Sequence, residues 1–209
     1  MSGNKSLEEI TIQIDEYLKF VPGANGIQEM ASLDKNTLAG VVTSFSELSD
    51  DLDYFIIDVA AGISDSVMTF LAACQERYVV VNNDPSSIAD SYGIIKVMIQ
   101  NHNLNQIYMI PNKVSSQEEG QLLFNRINSV VMRHLGRKID YLYSIVKDEQ
   151  VEQALRSAEP VITYAPSSAA TQCFSKLAKT ISELNIEQSV SGGIQFFIER
   201  LSNTEQHRI

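Results

Sequence analysis

Residues 53–64 read Asp53-Tyr54-Phe55-Ile56-Ile57-Asp58-Val59-Ala60-Ala61-Gly62-Ile63-Ser64. Four apolar residues in a row lead into an aspartate, then into small residues and a glycine. A continuous apolar run suits a parallel strand buried on both faces; an alternating one would suit a half-buried strand. Three further runs have the same character: Tyr78–Val81, Ile107–Ile110 and Ile139–Tyr143. Between and around them lie stripes of helical period. Leu38, Val41, Val42, Phe45 and Leu48 form one, and Val67, Phe70, Leu71 and Cys74 a second. Ile88, Tyr92, Ile95 and Ile99 form a third, and Leu123, Ile127, Val130 and Val131 a fourth. Phe174, Leu177, Ala178, Ile181 and Leu184 form a fifth, with Ser167 or Ser168 as its N-cap. Strand and helix alternating at this spacing predict βαβ units in a doubly wound, mostly parallel α/β sheet with helices on both faces. Ligands of such sheets bind at the carboxyl ends of the strands, so those ends are where chemistry is sought.

Composition narrows the classes. The 209 residues are 44% apolar and 20% charged, enough chain for one domain with a sizeable core. Lys and Arg number 16 against 26 Asp and Glu, a net charge of −10. A diffuse polyanion without a basic stripe argues against direct nucleic-acid binding. Cys74 and Cys173 sit in apolar helical contexts, which predicts two buried thiols in a reducing compartment. Met1–Glu9 is polar and acidic, unlike a signal or transit peptide, and no apolar run is long enough to cross a bilayer. A soluble, cytoplasmic chain is expected, with any membrane contact peripheral.

Each strand end carries a reading with chemistry and one without. Asp58 stands where nucleotide hydrolases hold the water shell of Mg²⁺, and Gly62 lets backbone approach a phosphate closely. Equally, Asp58 simply ends a strand and Ser64 caps the next helix. Asn82-Asn83-Asp84-Pro85-Ser86-Ser87 reads as helix-start chemistry. Asn112, in Pro111-Asn112-Lys113, can read a purine edge by accepting and donating at once, or can serve a turn. Asp148 starts a helix through Ala154. His102, His134 and His207 lack carboxylate, Ser or Cys partners at motif spacing, so a His-based hydrolase is unsupported. No Gly-x-x-x-x-Gly-Lys-Ser/Thr occurs in these residues; Lys5-Ser6 is read as the polar approach to Leu7–Ile10.

Taken together, the strand ends resemble the MinD/ParA class of P-loop ATPases, and within it the FlhG/FleN regulators of flagellar number and placement. The resemblance runs from about Leu7 to Leu201. Val21–Gly26 is similar to the family's edge-strand Pro-Gly segment, and residues 53–64 to its Walker B and switch II stretch. Asp84–Met98 resembles a Pro-Thr-Ser…Asp-Ala-Tyr…Ile-Lys block. Ile110–Val114 resembles the strand whose Asn contacts adenine, and Asp148–Ala170 the nucleotide-side loop. Gly192–Leu201 resembles a terminal membrane-seeking helix. The resemblance implies ATP and Mg²⁺ as cofactors. It implies Asp58 as the catalytic acid and Mg²⁺-water ligand, Gly62 near the γ-phosphate, Asn112 on adenine and Asp148 at the nucleotide. It also implies a homodimer and three partners: an FlhF-type GTPase, a flagellar transcription activator and basal-body switch proteins.

The family's P-loop and switch I acid have no counterpart here, so strong ATP hydrolysis by these residues alone is not expected. The chain looks like the family minus its N-terminal portion; a truncated product, an internally started one and a degenerate paralogue all fit. A nucleotide-independent interaction module and a MinD-like division-site positioning ATPase are the alternative readings. Loss of the central P-loop strand predicts unpaired apolar strands and a less stable, oligomer-prone chain. Residues 1–184 are expected as the α/β domain, 185–193 as a linker, 194–202 as an amphipathic helix and 203–209 as a tail. Val190, Ile194, Phe197, Ile198 and Leu201 fall on one apolar stripe, which suits a bilayer interface at the inner face of the plasma membrane, the parent domain or a partner groove.

Overall fold

Buried residues are concentrated in a strand of eight, Ile107–Val114 (β4), where Met109 and Val114 are wholly inaccessible. The computed structural model describes residues 7–22 and 52–184. They fall into two units, residues 7–22 with 52–75, and residues 76–184.

In the second unit β4 is the middle of a four-stranded parallel sheet. On one side it pairs Arg77–Asn82 (β3) in continuous register, from Arg77 opposite Ile107 to Asn82 opposite Asn112. On the other it pairs Asp140–Tyr141 (β5), then Ile145–Val146 (β6), so two short strands share one edge. Three long helices follow the sheet. Pro85–His102 (α3) joins β3 to β4, Gln117–Leu135 (α4) joins β4 to β5, and Ala169–Ser182 (α7) closes the described chain. Glu149–Arg156 (α5) and the four-residue Val161–Tyr164 (α6) lie between β6 and α7.

Side chains of a strand alternate between faces. On β4, Pro111 faces α4: a Cβ built on Gly120 of α4 would meet Pro111 Cβ at 3.3 Å. Ile110, one step along, packs with Leu142, Ile145 and Cys173, backed by Tyr108, Leu177 and Ile181. The sheet is therefore covered by α4 on one face and α7 on the other, and α3 packs on β3 and α4. That is the expected α/β layering with helices on both faces. Helix ends follow sequence chemistry. Ser116, Asp148 and Ser168 cap α4, α5 and α7, Pro85 opens α3 behind its cap Asp84, and Gly136 ends α4 in the left-handed region at φ 62°. Among the described residues no helix is long and apolar enough to cross a membrane.

The first unit contains the helix Leu7–Ile10 (α1), the two-residue antiparallel strands Ile12–Gln13 (β1) and Lys19–Phe20 (β2), and the helix Asp65–Ala73 (α2), capped by Ser64. Here the sequence expectations need correction. Tyr54–Ile57 is not a strand: residues 54–60 carry no regular structure, and Ile56 is 86% exposed. An apolar run becomes a strand only where a neighbouring strand completes its hydrogen-bond ladder, and among the described residues none pairs with it. Ile139–Tyr143 also forms less than expected; only Asp140–Tyr141 pairs, and the ladder resumes at Ile145. Cys74, the C-cap of α2, is half-buried, against the expectation of a buried thiol, while Cys173 is buried. In α7 the buried face is Ala170, Thr171 and Cys173, with Phe174 at the exposed margin. Leu38–Leu48, Lys5-Ser6, Gly23–Gly26, residues 185–193 and the segment expected as an amphipathic helix, with Ile194, Phe197, Ile198 and Leu201, lie outside the described residues.

Candidate functional site

Parallel strands send all their carboxyl ends to one edge of a sheet, and the helices that follow begin there. In the second unit this brings the ends of β3, β4 and β6 together with the N-termini of α3, α4 and α5. Helix N-termini present free N–H groups and a positive dipole end. The edge is correspondingly rich in side-chain acceptors.

At the end of β3, the Asn82 N–H donates to Ser87 Oγ (3.0 Å). The Ser87 N–H in turn donates to Asp84 Oδ1 (2.9 Å), which also accepts from Ser86 Oγ (2.7 Å). These bonds, led by the Ser87 N–H, hold the Asp84 carboxyl below its ordinary value. At the end of β4, Asn112 Nδ2 donates to Asn82 Oδ1 (3.1 Å). Lys113 follows in the left-handed region at φ 54°, and there the register with β6 shifts, marking a bulge. Glu119, in the first turns of α4, accepts from Asn83 Nδ2 (2.5 Å), from the Ser115 N–H (2.6 Å) and from Ser115 Oγ. It thereby ties the β3–α3 corner to the β4–α4 corner. The Ser115 hydroxyl, first among these donors, pulls the Glu119 carboxyl down.

Beyond β6, the Lys147 N–H donates to Val114 O (2.8 Å), and Asp148 caps α5. Asp148 Oδ1 accepts from the Gln150 N–H (2.9 Å) and Oδ2 from the Ala170 N–H (3.0 Å) at the start of α7. The Ala170 bond, then the Gln150 bond, lower the pKa of Asp148. Thr171 Oγ1, in the first turn of α7, donates to Val161 O (3.1 Å) in α6 and to Ala165 O (2.9 Å) just after it.

Asn112 and Asp148 thus belong to one edge of one unit. Asp58 and Gly62 belong to the other unit: Asp58 is exposed within the unpaired segment, and Gly62 holds φ +119°, a conformation that favours glycine. Two residues of the edge, Asn82 and Glu119, were not singled out by the sequence. The signal for Asn82 lay in the matched ends of two apolar runs, which place an Asn at the same level in each.

No family model matches the chain. The antiactivator FleN of Pseudomonas aeruginosa is 33% identical over 201 residues, spanning 96% of this chain and 72% of FleN. The chain belongs to the FlhG/FleN family of MinD/ParA-type proteins. Consistent with that membership, the flagellum site-determining protein YlxH of Helicobacter pylori is 24% identical over 205 residues, covering 96% of this chain and 69% of YlxH. In fold, the septum site-determining protein MinD of Pyrococcus horikoshii, solved with Mg-ADP, superposes with a TM-score of 0.61 at 20% identity. That match covers 90% of this chain and 74% of that one. A ParA family ATPase of Chlorobium tepidum gives 0.60 at 17% identity, covering 84% and 68%. These likenesses show the MinD/ParA fold. This FlhG/FleN chain is a MinD-type flagellar regulator by kinship.

Proposed function

We propose that the chain regulates flagellar number and placement by binding partner proteins. The partners are an FlhF-type GTPase, a flagellar transcription activator and basal-body switch proteins. One observation carries this reading: the likeness to an antiactivator extends over 96% of the chain. An antiactivator restrains an activator protein and needs no DNA contact of its own, which accords with the net charge of −10. On this reading the chain works at the cytoplasmic face of the plasma membrane, as a homodimer, with Ile194, Phe197, Ile198 and Leu201 as its peripheral anchor.

ATP and Mg²⁺ are the cofactors this family implies, and the chain's residues fit one half of them. The base side has polar groups in place: Asn112 carries an amide with unused donor and acceptor capacity, beside a loop fixed by Asp148. By kinship Asp58 would hold Mg²⁺ through water, with Gly62 near the γ-phosphate. The phosphate side does not fit: these 209 residues contain no glycine-rich N–H nest and no P-loop lysine. No hydrolytic step follows from the residues present. A module that holds its partners without ATP turnover is the second reading.

Expression in a Pseudomonas aeruginosa strain lacking FleN tests the main reading. Restored control of flagella per cell is expected, and counts indistinguishable from the empty vector reject it. Sedimentation of the purified chain with and without Mg-ATP separates the two readings: ATP-driven dimerisation favours the switch, an unchanged species the nucleotide-independent module. Vesicle co-sedimentation of the whole chain against one ending at Leu184 tests the anchor, and equal pelleting removes it.

A further inference from the structure

One stretch of this acidic chain carries the opposite charge. From Gly120 to Ile139 there is no Asp or Glu, while Arg126, Arg133, Arg137 and Lys138 give +4. The net charge of −10 is therefore +4 here and −14 over the rest. Three of the four cations, with His134, gather at the end of α4. Arg133 and His134 lie in its last turn; the Gly136 N–H then donates to Met132 O (3.1 Å) from the left-handed region, which turns the chain back. Ile139 is buried, and its N–H donates to Asn128 Oδ1 of α4 (3.1 Å). Arg137 and Lys138 are thus held between two fixed points, on a corner whose backbone is set before anything binds. Arg133, His134, Arg137 and Lys138 are all exposed. Among the described residues Arg133 and Arg137 form no ion pair, and Lys138 has only the exposed Asp140, at 3.6 Å. Met132, 56% exposed, adds an apolar side chain in the same turn. The helix dipole accounts for cations in the last turn of α4, but not for Arg137 and Lys138 beyond it.

We propose that this corner, Arg133 to Lys138, docks an acidic segment of a partner protein. The proposal rests on the reading above that the chain works by binding partners, and names the chemistry of one of them. An arginine guanidinium offers a planar fork of N–H donors that a carboxylate accepts in two bonds. Two such forks and a lysine ammonium at one helix end suit neighbouring Asp or Glu side chains of a short segment. Met132, flexible and polarizable, suits an apolar side chain between them. Charge separates this occupant from larger polyanions. At physiological salt an exposed charge is felt over roughly 8 Å. A short segment therefore meets mainly the +4 stretch, whereas a duplex or a bilayer extends over many such lengths and also meets the acids that make up −14. The corner stands away from the carboxyl edge as well: α4 starts at that edge and runs for 19 residues, about 28 Å, before Gly136. A segment docked at Arg133 leaves that edge open.

The probe is a fluorescein-labelled peptide, Glu-Glu-Leu-Asp-Glu-Leu-Glu-Asp, titrated with the full chain and followed by anisotropy. Its Gln and Asn counterpart is the uncharged control. The wild type is expected to bind the acidic peptide and not the control, and to bind it more weakly as salt rises. Arg133→Glu combined with Arg137→Glu should weaken binding by about tenfold or more, with an unchanged melting curve, since both side chains are exposed. Lys96→Glu combined with Lys179→Glu makes the same change in net charge at other exposed helix positions and should leave binding near wild type. Equal losses in the two double variants, or no binding by the wild type, overturn the proposal. So does binding to phosphatidylglycerol vesicles or duplex DNA that the wild type shows and the Arg133→Glu, Arg137→Glu variant loses, for the corner then serves a polyanionic surface. In the strain lacking FleN, the corner variant should fail to restore the flagellar counts that the wild type restores, and a corner variant that restores them overturns the role of the corner. A wild type that fails there removes the broader partner-binding reading, while the peptide titration still reads the corner by itself.

Discussion

Asp148 is fully engaged by backbone: one carboxylate oxygen caps α5 and the other holds the start of α7. Asp148→Ala removes an N-cap, worth about 1 kcal/mol, and strands the Ala170 N–H, so a loss of about 2 kcal/mol is expected in urea unfolding. The same contacts give a pH signature. The folded pKa of Asp148 lies below its ordinary 3.8, so its contribution is present above that value and disappears as pH falls through the folded pKa. The urea midpoint of the wild type should drop more steeply below pH 4 than that of Asp148→Ala; parallel curves would reject the assignment. Gly120 makes a second prediction at this scale. A Cβ there would lie 1.9 Å from Ser144 Oγ and 2.6 Å from Ser144 Cβ. Ser144 is wholly buried and bonded to Tyr141, while its carbonyl accepts from Gln117, so it has nowhere to retreat. Gly120→Ala gains about 1 kcal/mol of helix propensity but overpacks a rigid contact, typically 1–3 kcal/mol. The clash should win, seen as a lowered midpoint at constant m-value; a stabilised variant would show that α4 can move off the sheet.

Between elements, Glu119 is the brace of the carboxyl edge. Glu119→Ala should leave the global urea midpoint essentially unchanged, because the group is near solvent, yet speed amide exchange at Ser115. Unchanged exchange there would mean that the corners hold themselves. The same scale explains what the sequence could and could not announce. β3, β4 and the helices α3, α4 and α7 were legible because each carries its own periodicity or unbroken apolar run. Tyr54–Ile57 has an equally apolar run and yet forms no strand, since a strand is a relation between two segments and composition describes only one. The two-step edge of β5 and β6 was hidden for a similar reason. Ser144, inaccessible between Tyr141 and α4, interrupts the ladder where Gly120 crowds it, a contact 24 positions apart in the chain. At the site, Asn112 was legible as an amide at a strand end. Asn82 read as part of a helix start, because the register that faces it to Asn112 spans thirty positions.

For the molecule as a whole, the contrast between the two units becomes a statement about where unfolding begins. The second unit has a sheet covered on both faces, with Val81, Met109 and Val114 fully inaccessible. In the first, the described strand pairing is two residues long, a length that is marginal in water without further strands. Apolar side chains stand open along it: Ile14, Leu18 and Phe20 are each more than half exposed, as are Tyr54 and Ile56. Protection against hydrogen exchange follows burial and local contact. Residues 12–20 and 54–58 should exchange fastest and the amides of β4 slowest, by several orders of magnitude under native conditions. Heating should then give a low, broad transition for the first unit ahead of a cooperative one for the second, and dye binding to exposed apolar surface before the main transition. The acidic net charge opposes self-association of that surface, so raising the salt concentration should promote oligomers by screening the repulsion. One sharp transition with uniform protection and a salt-independent monomer would contradict this picture. It would mean that the segment 53–58 finds a strand partner in solution, and that the apolar run Tyr54–Ile57 completes a ladder after all.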